Sequence, residues 1–202
     1  MKRSAYARKI KSGKLFWVKA ISIFVIALPL CVWGSGLPAG VVSGDLIFRT
    51  GDEAISSIIR TMDSTGYSHV GMVYAVNGRV LVIHSTPSEH PGTQDGVVID
   101  SLDFFISKAI NRKVFYYQVE ASIKKHELAV KKALSYTGTP FSVTTKEGIY
   151  CTKLVTKSWE AASVNISTGS KKINIPMFHS SVIMPENIIG SANVKPVVAT
   201  VY

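Results

Sequence analysis

Three short segments of the chain contain residues that could carry out nucleophilic chemistry. They hold His69, His84 and, much further along, Cys151. A thiol becomes a thiolate near neutral pH when an imidazole lies beside it, and a third polar group fixes the tautomer of that imidazole. Because residues of all three kinds are present, the sequence predicts a cysteine-dependent hydrolase or acyltransferase.

The two histidines are predicted to lie on one face of a β-hairpin. Residues 68–76 and 79–84 are β-rich runs joined by Asn77-Gly78, a strong signal for a two-residue hairpin turn. That turn pairs residues so that His69 and His84 become diagonal neighbours on the same face, with Cα atoms about 7–8 Å apart. Both imidazoles could therefore reach one polar site.

Cys151 follows a loop and opens an apolar-periodic run that contains Leu154 and Trp159. This pattern predicts a helix that begins at the cysteine, where unsatisfied backbone N–H groups favour a thiolate and could hold an oxyanion. The predicted reaction is a two-step acyl transfer through a thioester. In it Cys151 is the nucleophile, His69 is the general base and then acid, and His84 orients His69.

The remaining pattern predicts an α+β fold, in which a small, mostly antiparallel sheet carries the cysteine helix on one face. Apolar and β-branched runs predict further strands at residues 45–48, 97–99 and 114–119. Helical spacing predicts helices over residues 52–62, 102–109, 123–136 and 151–162. The tail that follows a polar loop at 163–172 is predicted to be extended and irregular.

The net charge of +10 belongs mainly to the N-terminus. Seven of the 23 lysines and arginines precede residue 20, where no acidic residue occurs, and the other 16 nearly balance the 13 acidic residues. The rest of the chain thus has an ordinary soluble surface, and we expect no nucleic-acid partner.

An uncharged apolar run at residues 20–33 follows the basic segment. As a helix it would span roughly 21 Å of the roughly 30 Å bilayer core, and extension back to Leu15 gives roughly 28 Å. The pattern is typical of a cleaved secretion signal or of a retained anchor over residues 15–33, with a buried core helix as the third alternative. We therefore predict a basic signal or anchor segment with its linker at 1–40. An exported hydrolase domain, in the periplasm or cell envelope, is predicted at 41–202.

The chain has two cysteines, and Cys31 lies inside that apolar run. If the run is removed or embedded, Cys151 has no intramolecular partner. An unpaired cysteine in an exported protein indicates a reactive thiol, and a buried structural cysteine is the alternative.

The other histidines, His90, His126 and His179, are predicted to lie on the surface. A zinc site that combines Cys151 with His69, His84 and His90 is disfavoured, because the close-spaced ligand pairs typical of structural zinc sites are missing. The chain also lacks a Walker phosphate loop and a dinucleotide fingerprint. The sequence therefore predicts no metal and no cofactor.

Four motifs, in their order along the chain, resemble a known family. They are Gly44-Asp45-Leu46-Ile47-Phe48, Ser68-His69-Val70-Gly71-Met72, Val82-Ile83-His84 and Tyr150-Cys151-Thr152-Lys153-Leu154-Val155. Together they resemble the permuted papain-like amidases of the YiiX/YaeF type, which are related to NlpC-type cell-wall peptidases and to the lecithin retinol acyltransferase group. The resemblance, over roughly residues 41–190, implies a circularly permuted papain-like (NlpC-type) fold whose histidine strands precede the cysteine helix.

The resemblance implies Cys151 and His69 as the catalytic pair and His84 as the third polar residue, a position that is often Glu in YiiX-type relatives. Two further departures are Thr152-Lys153 in place of the usual Ser-Glu, and Phe141 in place of a tyrosine that could assist the oxyanion.

The implied function is an exported amidase or peptidase that acts on a peptide, a peptidoglycan stem or a lipid-linked amide or ester. Two alternatives stay open. One is a lipid acyltransferase or phospholipase, for which an apolar groove is expected. The other is a catalytically idle envelope module that only binds. Membrane association is expected through the N-terminal segment.

Overall fold

The computed structural model describes residues 36–51, 54–88, 95–145, 147–175 and 178–197. The strands are β1 (Leu46–Gly51), β2 (His69–Val76), β3 (Arg79–Thr86), β4 (Gly96–Ser101), β5 (Ala109–Val119), β6 (Lys171–Ile175), β7 (Phe178–Val182) and β8 (Val194–Pro196). The helices are α1 (Ala54–Met62), α2 (Leu102–Ser107), α3 (Ile123–Leu134), α4 (Cys151–Ala161) and α5 (Pro185–Ile189).

Six of these strands form one sheet in the order β4-β3-β2-β1-β5-β8, and every neighbouring pair is antiparallel. The remaining two, β6 and β7, pair with each other as a separate antiparallel hairpin, called the tail hairpin below. The predicted α+β class and the mostly antiparallel sheet are therefore confirmed.

The hairpin of β2 and β3 has the predicted register. Met72 pairs with Ile83, and the strands turn through Asn77 and Gly78, which have φ angles of 50° and 72°. Positive φ at both central residues is the requirement of a type I′ turn, and Asn-Gly satisfies it with little strain.

Two apolar layers cover the two faces of the main sheet, because side chains alternate along each strand. On one face Leu46, Phe48 and Met72 pack with the buried side of α4, and Trp159 of that helix donates a hydrogen bond to the Gly44 carbonyl at 3.2 Å. The other face is covered by α2, with Phe105 in its layer. Helices therefore pack against both faces of the sheet, and the helix that carries Cys151 is one of them.

Three expectations from the sequence were wrong. The helix predicted over 102–109 ends at Ser107, and Ala109 already belongs to β5. The tail contains the tail hairpin, α5 and β8 instead of irregular chain. His126 is buried, and its two ring nitrogens lie 2.9 and 3.0 Å from the carbonyl oxygens of Ser43 and Val119.

Across the described ranges, no helix combines the length and apolarity needed to cross a bilayer. The predicted signal or anchor lies outside these ranges, as do His90 and Cys31.

Candidate active site

Three polar side chains form a diagonal row across β2, β3 and β4. His69 Nε2 lies 2.9 Å from His84 Nδ1, and His84 Nε2 lies 3.0 Å from Asp100 Oδ2. The strand register explains the row, because Asp100 pairs with Val82 and is therefore the diagonal neighbour of His84 on the same face. We call His69, His84 and Asp100 the histidine row.

The side chains of Phe105 and Arg49 stack on each other, and Phe105 packs against the two imidazoles of the histidine row. The Phe105 ring centroid lies 5.7 Å from that of His69 and 5.1 Å from that of His84. Arg49, which pairs with His69 across β1 and β2, places its guanidinium carbon 4.5 Å from the centroid of Phe105 and donates to the Phe105 carbonyl at 2.9 Å. Gly71 makes room for this packing, since a Cβ there would clash with Val82.

The pKa of His69 is well below its usual value, first because the imidazole is buried, and then because the positive charge of Arg49 opposes its protonation, as would a proton added to the neighbouring His84. His69 is therefore neutral at physiological pH. A neutral imidazole can accept a proton, which is the state a general base requires.

Cys151 is the first residue of α4, as predicted, and the preceding Tyr150 has extended φ and ψ angles of −112° and 167°. Burial raises the pKa of the Cys151 thiol, and this effect outweighs the hydrogen bonds from the Val70, Thr152 and Cys151 backbone N–H groups and the charge of Arg49, all of which lower it. The helix start therefore stabilises a thiolate, as expected, but the resting group is a protonated thiol. The backbone N–H groups at the helix start were predicted from the sequence, whereas the burial of the Cys151 thiol was not.

Cys151 and His69 both line one pocket of about 440 Å³, which is within the usual size range of small-molecule sites. Among the described residues no hydrogen bond joins the thiol to His69, and contacts of this kind often tighten only when substrate binds. The pocket walls are mostly aliphatic or aromatic and are formed by Ile55, Ile58, Ile59 and Met62 of α1, by Phe141, Val143 and Tyr150, and by Ile173, Val182, Ile183, Met184 and Pro185 of the tail.

The sequence and the fold have counterparts among known proteins. A model of the permuted papain-like amidase enzymes, YaeF/YiiX, C92 family, matches residues 41–195. The chain belongs to this family. A crystal structure of the metalloprotein yiiX from Escherichia coli O157:H7 is similar in fold, with a TM-score of 0.66 and 20% identity over 78% of this chain and 96% of that chain. A comparison with curated proteins returned no match.

Family membership confirms the predicted permuted papain-like fold, with the histidine strands before the cysteine helix. It also shows a hydrolase of the papain-like amidase type at the level of the family. The assignment of Cys151, His69 and His84 to catalytic roles stays a prediction.

The similar yiiX structure is described as that of a metalloprotein, which raises the question of a metal site in this chain. Among the described residues, no group of three or more His, Cys, Asp and Glu side chains is arranged to hold an ion. The ring nitrogens of His84 are engaged by His69 and Asp100, so this imidazole has no nitrogen left for a metal. The described residues of this site therefore do not fit a metal ion.

Sequence reasoning missed Asp100, Arg49 and the tail side of the pocket. The signal for Asp100 was present, because it follows the predicted strand at 97–99, but its register against β3 depends on a loop whose length gives no fixed pairing. Phe141, noted as a departure from the family pattern, lies in the pocket wall, so its missing hydroxyl makes that wall more apolar.

Proposed function

We propose that this chain is a cysteine hydrolase of the amidase or peptidase type that cleaves its substrate through a thioester on Cys151. The observation that supports this most directly is that Cys151 and His69 line the same pocket while His69 is bonded to His84 behind it. One side of His69 is thus held by its partner, and the other ring nitrogen, Nδ1, is left for the thiol.

In the first step His69 Nδ1 takes the proton of Cys151 as the sulfur bonds to the substrate carbonyl carbon. The carbonyl π pair moves onto its oxygen, and backbone N–H groups at the start of α4 stabilise this oxyanion. The tetrahedral intermediate collapses, the amine or alcohol leaves with the proton from His69, and a thioester remains. Water then attacks the thioester with His69 as base, which releases the acid and restores the thiol.

The two pKa directions determine when the proton moves. The thiol pKa is raised and the His69 pKa is lowered, so a preformed thiolate–imidazolium pair is disfavoured in the resting site. We therefore expect the proton to transfer during attack, when charge is already passing to the carbonyl oxygen. The resting thiol should accordingly alkylate slowly at pH 7, at a rate closer to that of an ordinary cysteine than to that of an activated one.

The substrate is proposed to be a cell-envelope peptide, peptidoglycan stem or lipid-linked amide or ester, reached after export. The basic segment and apolar run before residue 34 support export and membrane association.

The test uses the full chain, p-nitrophenyl butyrate and the matching p-nitroanilide. We expect hydrolysis that disappears in Cys151→Ala, and an acyl adduct on the Cys151 peptide, detected by mass spectrometry after an acid quench. The Cys151→Ser variant is a near-isosteric control for folding, which circular dichroism and thermal unfolding check. Equal hydrolysis by the wild type and Cys151→Ala would overturn the proposal, and an inert but folded chain would favour the idle binding module.

The apolar pocket favours a second candidate within the same chemistry, a lipid acyl hydrolase or acyltransferase. Its walls, from α1 and the tail, offer aliphatic side chains to the group beside Cys151 and few polar partners for a peptide backbone. Each buried methylene contributes about 0.8 kcal/mol, so kcat/KM should rise by up to about fourfold per added carbon until the pocket is full. A series of p-nitrophenyl esters from C2 to C12 measures this slope, and a flat series would favour the peptide substrate.

A further inference from the structure

The carboxylate at the end of the histidine row determines the proton positions along it. Asp100 Oδ2 lies 3.0 Å from His84 Nε2, its side chain is 21% exposed, and the His84 side chain is fully buried. An ionised carboxylate can only accept hydrogen bonds, so His84 Nε2 must carry the hydrogen.

The position of the hydrogen on His84 in turn determines the position of the hydrogen on His69. A neutral imidazole that donates from Nε2 has an unprotonated Nδ1, and His84 Nδ1 is the atom 2.9 Å from His69 Nε2. His69 Nε2 must then donate, which leaves His69 Nδ1 as an acceptor. Nδ1 is the nitrogen that the proposed reaction needs for the thiol proton.

The opposite arrangement shows why the carboxylate matters. If His84 carried its hydrogen on Nδ1, it would donate to His69 Nε2, and neutral His69 would hold its hydrogen on Nδ1. That tautomer has no lone pair for the thiol and cannot act as the base. The row therefore has one productive pattern, and a fixed acceptor at its far end selects it.

We propose that Asp100 is a positioning residue that sets the tautomers of His84 and His69 so that His69 Nδ1 faces the reaction as an acceptor. The inference rests on the proposed function for its catalytic consequence, but the tautomers themselves can be measured without any turnover. Asp100 touches no reacting atom and acts through two imidazoles.

Asp100→Asn is the informative variant, because an amide has nearly the same shape and can donate as well as accept. In the Ser-His-Asp triad the same exchange beside the base lowers kcat roughly 10⁴-fold through the wrong tautomer. Here one more imidazole intervenes, so we expect a loss in kcat of about 10- to 100-fold, the usual range for outer hydrogen-bond partners, with KM little changed. Asp100→Glu restores the carboxylate and should recover part of the rate.

The matched control is Asp103→Asn, which removes the same charge from an exposed site at the start of α2. It should retain the wild-type kcat. Loss of the same activity in both variants would indicate a general charge effect and would overturn the assignment.

Nitrogen-15 NMR of the imidazoles in the full chain supplies the readout that a purely structural role would not move. At neutral pH the wild type should show His84 and His69 both protonated on Nε2 and unprotonated on Nδ1, and Asp100→Asn should populate the other tautomer. Wild-type histidines protonated on Nδ1, or identical spectra for both proteins, would overturn the inference. If the spectra agree with it while no ester or amide is cleaved, the proposed function fails and the positioning role stands.

Discussion

The histidine row and the pocket wall lie side by side but are built in different ways. The row rests on three neighbouring strands of one sheet, is held by hydrogen bonds of 2.9 and 3.0 Å, and is backed by Phe105. The pocket wall consists of the residues of α1 and of the tail that line the pocket. These two segments are far apart in sequence, and the side chains that they place at the pocket are mostly aliphatic.

The two regions are therefore suited to different tasks. Hydrogen bonds between strands fix the distances and directions that proton transfer requires, because a small displacement breaks them. Aliphatic contacts are non-directional, so a wall of isoleucine, valine and methionine can accept acyl groups of different lengths. We infer that the chemistry is determined by the sheet and the substrate range by the segments added around it.

The largest expected effect comes from the row. His69→Gln keeps an amide that can bond to His84 but removes the base, so hydrolysis of a short p-nitrophenyl ester should fall by about 10²- to 10⁴-fold. The rate should fall equally for short and long esters, because the base acts at the ester carbonyl, which all of these esters share. Steady-state kinetics measure both. A loss confined to long esters would contradict the division between row and wall.

The sequence was most informative where signals are local. Asn77-Gly78 and the alternation around it predicted the β2–β3 hairpin and its register, and the apolar spacing after Cys151 predicted the start of α4. Each of these depends on residues within a few positions of one another.

Long-range contacts explain what the sequence left undetermined. His126 was predicted to be exposed, but its partners are backbone carbonyls of Ser43 and Val119, brought to it by the fold. The tail hairpin contains lysines and serines that obscure its strand pattern, yet Ile173 and Val182 are buried against α1 and Tyr150. A wall made of distant segments gives no local signal of its own.

The wall should show a medium effect that depends on chain length. Ile58 of α1 lines the pocket and is 52% exposed, so Ile58→Asn should leave the fold intact and reduce apolar contact with a bound chain. We expect the ratio of kcat/KM for C10 over C4 esters to fall about 15-fold, since two lost methylene equivalents correspond to about 1.6 kcal/mol.

Ile123→Asn provides the matched control, because Ile123 is a 78% exposed isoleucine on α3 and does not line the pocket. It should keep the wild-type ratio. If both variants change the ratio alike, or neither does, the wall is not the acyl-binding surface.

The burial of His69 should also appear as pH-dependent stability. Its folded-state pKa is depressed below the unfolded value of about 6.5, so the unfolded chain takes up the proton first. The stabilisation is complete above pH 6.5 and is lost as the pH falls from there toward the folded pKa. Urea unfolding from pH 8 to 5 should show this decline in the wild type and a flatter curve in His69→Gln. If the stability of the wild type and of His69→Gln declined in parallel with pH, a group other than His69 would be responsible for the decline.

The smallest effect is expected from the polar contacts of Glu186, which link the two segments of the pocket wall. Glu186 of α5 accepts from the Ser64 hydroxyl and backbone N–H at 2.6 and 2.9 Å and from Lys171 Nζ at 3.1 Å, which ties the end of α1 to the tail hairpin. The Ser64 hydrogen bonds and then Lys171 lower the pKa of Glu186 to about 2. The stabilisation by this carboxylate is therefore present above its ordinary value of 4.5 and is lost as the pH falls from there toward about 2.

Glu186→Gln should accordingly flatten the acid decline in stability between pH 4.5 and about 2 and raise KM for long esters by no more than about twofold, since exposed ion pairs contribute little. Glu160→Gln is the control, because Glu160 pairs with Lys157 on the surface of α4 and does not line the pocket. Its KM for long esters should match the wild type. A KM change in Glu160→Gln as large as in Glu186→Gln would mean that the effect on KM does not come from the contacts of the Glu186 carboxylate with Ser64 and Lys171, and that the wall keeps its shape through other contacts, such as those of Ile173, Val182 and Met184.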